Sequence, residues 1–340
     1  MPRRTGCSGD VGRLRLSSTW MLDVLRVLGG GLFLYLGAEW LVRGAAGLAR
    51  ALGVRPLIIG LTVIAYGTFA PELVVSMVAA LDGKPAIALG NVIGSNIANL
   101  GLILGATALL APPRVDATLI RREVPLLLFS ALAIPVLLFD GVVSRIEGAL
   151  LVATALGFTY LAVRSARGTA PADAALRAEV REEVAEEAPT GSKAKLLGLS
   201  VLGLGGLVAG GKVFVDGAVG IALTLGMSER MVGLTIVAVG TSLPELAASL
   251  VAARRGHAAL AVGNVVGSNI FNVLLILGAT ALARPIEGSL SVLRNDLIAL
   301  AVVTVMGAVF LRGDRVLSRI EGSVLVAGYA AFLVFLAVVS

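Results

Sequence analysis

The sequence has very few of the side chains that bind soft metals or form disulfide bonds. Among its 340 residues there is one cysteine, Cys7, and one histidine, His257. A single cysteine excludes a disulfide within the chain, and a single histidine excludes a site built from clustered Cys and His ligands. Any cation that the protein binds must therefore be held by oxygen atoms.

Charged side chains are also scarce. Only 15% of the residues are charged, whereas 57% are hydrophobic, which excludes an ordinary water-soluble domain. The net charge is +6, and in so hydrophobic a chain we attribute it to loops that orient a membrane protein. We therefore expect no nucleic acid as a partner. The 42 glycines indicate tight packing between membrane helices, because glycine lets helix backbones approach closely.

Ten apolar runs are long enough for membrane-spanning helices, which need about 20 residues to cross the hydrocarbon core of a bilayer. The run at 124–139 is the shortest. We therefore expect an all-α integral membrane protein with ten transmembrane helices. The runs are 21–42, 57–80, 86–111, 124–139, 149–163, 196–224, 231–252, 258–283, 293–311 and 321–339.

The two halves of the chain are copies of one unit. A shift of 173 residues aligns Ser95 with Ser268 without a gap, and 12 of 16 positions are identical between 90–105 and 263–278. Each unit holds five spans, so the second copy must enter the membrane from the opposite side. Such inverted-topology repeats are typical of secondary transporters, whose substrate sites lie near the membrane midplane where the repeats meet.

The hydrophilic segments predict the domain boundaries and the orientation. We expect a basic N-terminal tail at 1–20, a first repeat at 21–163, a cytoplasmic hydrophilic linker at 164–195 and a second repeat at 196–340. With both termini outside the cytoplasmic membrane, the inside loops carry 17 Lys and Arg residues and the outside loops between spans carry 5, as the positive-inside rule requires. The arginines of the tail oppose this orientation, so we expect Met21 to be the natural start.

The motifs GTFAPE and GTSLPE place two acids, Glu72 and Glu245, inside apolar runs. A charged group at the centre of a membrane helix costs at least about 2.5 kcal/mol, so intramembrane acids mark a pathway or a site. The proline before each acid removes a backbone donor and breaks the helix. We expect both breaks at the midplane, where they free main-chain carbonyls, among them those of Ala65 and Ala238, to line an enclosed site.

Hydroxyls and amides near the two acids would complete an all-oxygen site. In the span after each acid, a serine and an asparagine are four residues apart and share one helix face. Such a set suits Ca²⁺, which takes six to eight oxygen ligands in irregular geometry, better than Mg²⁺. Asn91 and Asn264 lie one turn further along the same helix faces. Asn96 and Asn269 are interpreted as residues that pack or bond between helices. The candidate ligands are Thr68, Thr241, Ser242, Ser95, Asn99, Ser268 and Asn272.

Together, G-T-S-x-P-E in one broken helix and G-N-x-x-G-S-N-I-x-N in the next, in two inverted copies, resemble the sodium/calcium exchangers of the cation/calcium antiporter superfamily. The resemblance runs from residue 21 to the end and is strongest with the compact prokaryotic calcium/sodium antiporters. It implies a secondary active antiporter that extrudes Ca²⁺ in exchange for Na⁺ by alternating access. It further implies calcium ligands at Glu72, Glu245, Thr68 and Thr241, and flanking sodium sites completed by Ser242, Ser95, Ser268, Asn99 and Asn272.

Two positions depart from the family's pattern and leave alternatives open. Phe69 stands where the family usually repeats a serine after the threonine, and Asn272 stands where some members have an aspartate. A proton/calcium exchanger would use the same acids, and potassium-dependent sodium/calcium exchange is a further alternative. A channel is disfavoured because broken helices around an acid pair suit an occluded site.

An enzyme is disfavoured for a different reason. The sequence has no Gly-x-Ser-x-Gly nucleophile elbow and no histidine close to a candidate serine. We expect no cofactor and no obligatory protein partner. The expected partners are Ca²⁺ and Na⁺ as substrates, together with the lipid bilayer.

Overall fold

The computed structural model describes residues 18–52, 56–115, 119–167, 192–226, 238–312 and 316–339. Most of the expected N-terminal tail and of the expected linker lies outside these residues. The described residues are almost entirely helical. Their helices are α1 (Ser18–Leu52), α2 (56–68), α3 (Ala70–Leu81), α4 (Pro85–Leu110), α5 (Val124–Leu137), α6 (Arg145–Arg167), α7 (Lys193–Thr224), α8 (Ala238–Thr241), α9 (Leu243–Arg254), α10 (Ala258–Ala283), α11 (Leu290–Arg312) and α12 (Arg319–Val339).

Seven helices of the described part of the chain are long and apolar enough to cross a membrane, namely α1, α4, α6, α7, α10, α11 and α12. The pair α2 and α3, bent by 48°, makes an eighth if it is counted as one span. The chain is thus a multi-pass membrane protein, but this count does not reach ten. Helix α5 continues without a gap from the π-helical turn Leu119–Glu123. This stretch carries Arg121, Arg122 and Glu123 before α5 and Pro135 inside it, and it is not among the seven spans. Helices α8 and α9 follow residues 227–237, which lie outside the description.

Helices α4 and α10 are the most buried of these seven spans, and both change from α- to π-helical geometry at the same point of the repeat. The π-helical turns are Asn99–Leu104 in α4 and Asn272–Leu277 in α10. Two further π-helical turns are Gly60–Ile64 in α2 and Leu119–Glu123 directly before α5. Such turns interrupt the regular hydrogen-bond ladder and occur most often at functional sites. Each of the two matched turns begins at an asparagine that the sequence marks as a candidate ligand.

Helices α1 and α7 run in opposite directions and touch along a line of glycines that recur every seven residues. An ideal Cβ at Gly37 would lie 2.6 Å from the main-chain nitrogen of Leu207, and one at Gly210 would lie 2.7 Å from that of Leu34. Only glycine lets two helix backbones approach so closely. The glycine line consists of Gly30, Gly37 and Gly44 in α1 and Gly203, Gly210 and Gly217 in α7.

The contacts along this line are reciprocal. Gly30 lies against Gly210, and Gly37 lies against Gly203, although Gly203 and Gly210 are the repeat copies of Gly30 and Gly37. Reciprocity of this kind is the signature of a two-fold relation between the contacting units. The same exchange of partners recurs elsewhere, since α4 packs along α12 and its copy α10 packs along α6.

Two short main-chain pairings join the halves outside the helices. The strand β1 (Val142–Val143) precedes α6 and pairs antiparallel with β2 (Ile286–Glu287), which follows α10. An isolated antiparallel bridge joins Arg114 to Val316. Each pairing ties a connection of the first half to a connection of the second.

Adjacent glycines in α1 provide a test of the glycine line. A Cβ at Gly30 would lie 2.5 Å from the main-chain nitrogen of Phe214, whereas one at Gly29 would meet nothing within 4 Å. We expect Gly30→Ala to destabilise the protein by about 1–3 kcal/mol, because a backbone clash is relieved only by moving a helix. Gly29→Ala should stay within about 0.5 kcal/mol of the parent. Thermal unfolding in detergent measures both; equal midpoints for the two variants would show that the contact does not hold α1 against α7.

Candidate functional site

Both predicted helix breaks are present, and each consists of one residue between two helices. Phe69 separates α2 from α3 with φ −76° and ψ 2°, and Ser242 separates α8 from α9 with φ −88° and ψ 9°. A proline stands in the first turn of the helix that follows each break, where its missing N–H costs that helix no internal hydrogen bond. Glu72 and Glu245 therefore lie at helix N-termini, whose partial positive charge stabilises a carboxylate.

The two acids are buried and close enough for their charges to interact. Glu72 is 2% exposed and Glu245 is 1% exposed, and the two carboxylates repel each other. Ser242 Oγ donates to Glu72 Oε1 at 3.2 Å, and the hydroxyl of Thr68 is within hydrogen-bonding reach of Glu245. Each acid is therefore contacted by a hydroxyl from the break in the other half.

The π-helical turns bring the remaining candidate ligands to the same crossing of helices. Helix α3 packs against the turn that begins at Asn272, and α9 packs against the turn that begins at Asn99. Ser95 and Ser268 lie one turn earlier on the same two helices, and all four side chains are at most 2% exposed. The structure thus assembles acids and polar side chains from both halves in its interior.

Buried oxygens without a hydrogen-bond donor are concentrated at this crossing. An unpaired buried acceptor costs about 1–3 kcal/mol, and a bound cation removes that cost because it supplies the missing positive charge. Within the described residues, the candidate ligands that have such an oxygen are Glu72, Glu245, Ser95, Ser268, Asn99 and Asn272. These residues fit a cation of the hard, oxygen-binding class.

An asparagine and a serine in each half tie the acid-bearing helix to the next span. Asn91 Nδ2 donates to the carbonyl oxygen of Glu72 at 3.0 Å and to Ser76 Oγ at 2.9 Å. Asn264 repeats the arrangement with the carbonyl of Glu245 at 3.3 Å and Ser249 Oγ at 3.0 Å. Asn264 also accepts from Thr68 Oγ1 at 3.3 Å, across the halves. These bonds fix the main chain of both acids.

Comparison with known proteins gives the family. The family model described as "Sodium/calcium exchanger protein" matches residues 23–164 and 195–338, nearly the whole chain. The putative antiporter CaxA of Alkalimonas amylolytica is 40% identical, over 92% of this chain and 98% of its own. The sodium/calcium exchanger MaX1 of Methanosarcina acetivorans is 34% identical, over 93% of this chain and 98% of its own.

The solved structures include the sodium-calcium exchanger NCX_Mj. It superposes with a TM-score of 0.79 at 32% identity and covers 93% of this chain and 99% of its own. This chain belongs to the sodium/calcium exchanger family. The resemblance predicted from the sequence motifs is thereby confirmed, and the family is one of membrane antiporters.

One predicted feature of this exchanger's site is wrong. The carbonyl of Ala65 is not freed by the helix break, because it accepts the N–H of Phe69 at 3.2 Å. Proline removes the donor that would reach the carbonyl four residues earlier. Pro71 therefore leaves the carbonyl of Gly67, and not that of Ala65, without its helical donor. Thr68 Oγ1 also donates to the Ala65 carbonyl oxygen at 3.5 Å, and a cation contact at Ala65 stays a proposal.

Four other residues named in the sequence analysis lie in α8 and in the matched spans α4 and α10. Thr241 is partly buried at the end of α8, and Ala238 is the first residue of that helix. Asn96, interpreted as a packing or bonding residue, accepts from Asn272 Nδ2 at 3.0 Å and so links the halves. Asn269 Nδ2 donates to the carbonyl of Val265 in its own helix at 2.8 Å.

The sequence analysis missed Ser76 and Ser249, the serine partners of Asn91 and Asn264. Each lies four residues after an acid, a spacing that puts it on the same helix face. Their recurrence at the 173-residue offset was the available signal.

The bonds made by Asn264 can be tested against those of Asn269. Asn264→Ala removes the donor to the Glu245 carbonyl and to Ser249, so we expect a loss of about 1–3 kcal/mol in stability of the exchanger. Asn269→Ala removes one bond to its own helix and should lower stability by less. The unfolding temperatures of the two purified variants test this expectation. If the unfolding temperature of Asn264→Ala is not below that of Asn269→Ala, these bonds do not hold α9 to α10.

Proposed function

We propose that this exchanger is a secondary active antiporter that exchanges Ca²⁺ for Na⁺ across the cytoplasmic membrane by alternating access and uses the sodium gradient to extrude calcium. The observation that carries the proposal is the set of buried, unpaired oxygens around Glu72 and Glu245. The sodium/calcium exchangers named among its relatives support the choice of ions.

We assign the ligands accordingly. Ca²⁺ is bound by Glu72, Glu245, Thr68 and Thr241, with main-chain contacts at Ala65 and Ala238, and the flanking Na⁺ sites use Ser242, Ser95, Ser268, Asn99 and Asn272. The cross-half hydroxyl contacts of the two acids support a shared site. Calcium tolerates the irregular mixture of carboxylate, hydroxyl and amide oxygens that these residues offer.

The architecture we propose is ten spans in two inverted repeats of five, with the broken helices at the midplane. The antiparallel course of α1 and α7 supports it, because these helices are repeat copies and yet run in opposite directions. The reciprocal glycine contacts support it as well. The pairing of β1 with β2 is also compatible, because the connections before α6 and after α10 lie on one membrane face in this topology.

The excess of Lys and Arg in the loops that would then be inside supports an orientation with both termini outside. The proposed boundaries are a first repeat at 21–163, a cytoplasmic linker at 164–195 and a second repeat at 196–340.

Repulsion between the two acids explains why transport takes the form of exchange. Two unit charges about 4 Å apart repel by roughly 4 kcal/mol at an effective dielectric near 20. An empty and fully ionised site therefore opposes closure, whereas Ca²⁺ or several Na⁺ cancel the charge and allow it. A carrier that crosses only when loaded returns with a different ion. Helices α1 and α7, which contact each other along the glycine line, are the elements that we propose to move.

The acid pair provides the direct test of this function. We expect Glu72→Gln and Glu245→Gln each to reduce sodium-driven calcium uptake into inside-out vesicles to background, because a neutral amide no longer cancels the charge of the ion. Glu287→Gln is the matched control, since Glu287 is exposed in β2, and should transport like the parent. Substantial uptake in either buried variant would refute the shared site.

Proton coupling is a second candidate, and the surroundings of Phe69 favour it. Phe69 is 4% exposed and packs in an aromatic group with Tyr66 and Phe271, with ring centroids 5.3 and 6.0 Å away. Its repeat copy, Ser242, instead donates to an acid. The first break therefore offers an aromatic ring where the second offers a hydroxyl, and one sodium site has a ligand fewer.

The ions that drive transport separate these candidates. Calcium uptake under an imposed sodium gradient indicates sodium coupling, and uptake under an imposed pH gradient alone indicates proton coupling. If sodium-driven calcium uptake requires added potassium, the protein is a potassium-dependent sodium/calcium exchanger. Passive calcium flux without any counter-ion would indicate a channel and overturn the antiporter proposal.

Two substitutions at Phe69 isolate the role of the missing hydroxyl. Phe69→Ser should strengthen the sodium dependence of calcium uptake, because it restores an oxygen at the first break. Phe69→Ala removes the same ring without adding an oxygen and controls for lost packing. The sodium concentration at half-maximal uptake is the measurement; the same value in both variants would show that the hydroxyl is not a sodium ligand.

A further inference from the structure

Three charged residues on one side of the exchanger have repeat copies of the opposite sign on the other side. The first set, cluster A, consists of Glu39 and Arg43 in α1 and Arg255 at the end of α9. At the 173-residue offset, the second set, cluster B, consists of Lys212 and Asp216 in α7 and Asp82 at the end of α3. The sign is inverted at all three positions, so each set keeps complementary charges on the same pair of helices.

Cluster A is assembled in this structure. Arg255 contacts Glu39 through two nitrogens. Its Nε donates to Oε2 at 2.8 Å, and its Nη2 contacts Oε1. Arg43 Nε lies 2.7 Å from the same Oε1. The carboxylate is largely buried, with its side chain 10% exposed, and a hydrogen bond between two charged groups is stronger than one between neutral groups. Cluster A therefore ties α1 to the end of α9.

Cluster B is not assembled across helices. Lys212 Nζ bonds Asp216 of its own helix at 3.1 Å, and their side chains are 76% and 51% exposed. Asp82 is exposed at the end of α3. The helix packing shows the same difference between the two clusters. Helix α1 packs along α9, whereas their repeat copies α7 and α3, both fully described, have no comparable contact. Val251 of α9 is accordingly 8% exposed, whereas its repeat copy Val78 of α3 is 50% exposed.

Membrane orientation alone does not explain the inverted charges. The positive-inside rule accounts for basic residues at Arg43 and Arg255 and for their absence at the copies on the opposite face. It does not account for Lys212, which puts a positive charge on the face where that rule disfavours one. Glu39 is not explained either, since acidic residues contribute little to orientation. Complementarity within each cluster explains both.

We propose that clusters A and B are two latches that form in alternation. In this conformation, the Glu39–Arg255 pair holds α1 on α9 and closes one face of the exchanger. In the opposite conformation, α7 packs on α3, Lys212 bonds to Asp82 as well as to Asp216, and the Glu39–Arg255 pair is broken. The exchange of roles follows from the repeat, because inverted copies interchange their conformations when access alternates. The inference rests on the alternating-access part of the proposed function.

Cross-linking tests the alternation without relying on transport. In a Cys7→Ser background, one protein carries Glu39→Cys with Arg255→Cys, a second carries Lys212→Cys with Asp82→Cys, and a third carries all four. A control protein carries Asp23→Cys with Arg26→Cys, an ion pair within α1. A short bifunctional thiol reagent is applied to membranes in Ca²⁺, in Na⁺ and in neither ion.

We expect both latch pairs to cross-link, with yields that move in opposite directions as the ions change, while the control yield stays constant. In the four-cysteine protein, one cross-link should exclude the other. The proposal is overturned if the Lys212→Cys and Asp82→Cys pair never cross-links while the control does, or if both latches cross-link in one molecule. Because the yield reports geometry alone, a protein that fails to transport calcium still gives a result.

Charge reversal provides an independent readout. Lys212→Asp should slow exchange by up to about five-fold, which is the population shift that an exposed ion pair can produce. Adding Asp82→Lys should restore the rate, because it rebuilds the pair between helices. Adding Asp216→Lys instead rebuilds only the pair within α7 and should not restore it. Rescue by Asp216→Lys, or no rescue by Asp82→Lys, would contradict the latch.

Discussion

Two carboxylates that share a dry interior cannot both stay ionised there without a counter-charge. Glu72 and Glu245 are in that position, and the structure gives each of them only partial compensation: a helix N-terminus, one hydroxyl from the opposite half, and no donor for the second oxygen. The unpaired oxygens of Ser95, Ser268 and their neighbours add further negative potential at the same crossing. A cation is the species that satisfies all of these groups at once, and in the proposed mechanism its presence or absence decides whether the site can close.

The duplicated chain determines where that site lies and how it can open. Each half supplies a broken helix and a π-helical turn, and neither half alone brings two acids together. The reciprocal contacts along the glycine line show how closely the copies approach. The molecule nevertheless departs from its own symmetry. Helix α1 covers α9 while α7 leaves α3 exposed, and the proposed alternation of access rests on this asymmetry.

Much of this arrangement can be predicted from the sequence, because a repeat reports each functional position twice. The motifs at Glu72 and Glu245 predict the breaks, and the four-residue spacing of Ser95 and Asn99 predicts a shared face. The π-helical turns are not predicted, because apolar runs and residue spacing do not distinguish π-helical from α-helical geometry. The carbonyl of Ala65 keeps its helical donor because the N–H that Pro71 lacks would reach Gly67, two residues further along the chain. Ten spans are also more than the seven or eight that helix length and apolar character support in the described residues. The stretch before α5 carries three charged residues, and residues 227–237, which precede α8, lie outside the description.

The account depends on one ion lying between the two acids. An experimental structure of the exchanger in saturating calcium, at a resolution that places carboxylate oxygens, tests this most directly. The account predicts one calcium ion with at least one oxygen of Glu72 and one of Glu245 at about 2.3–2.6 Å. Acids that hold separate ions, or that lie apart with no ion in common, would contradict it.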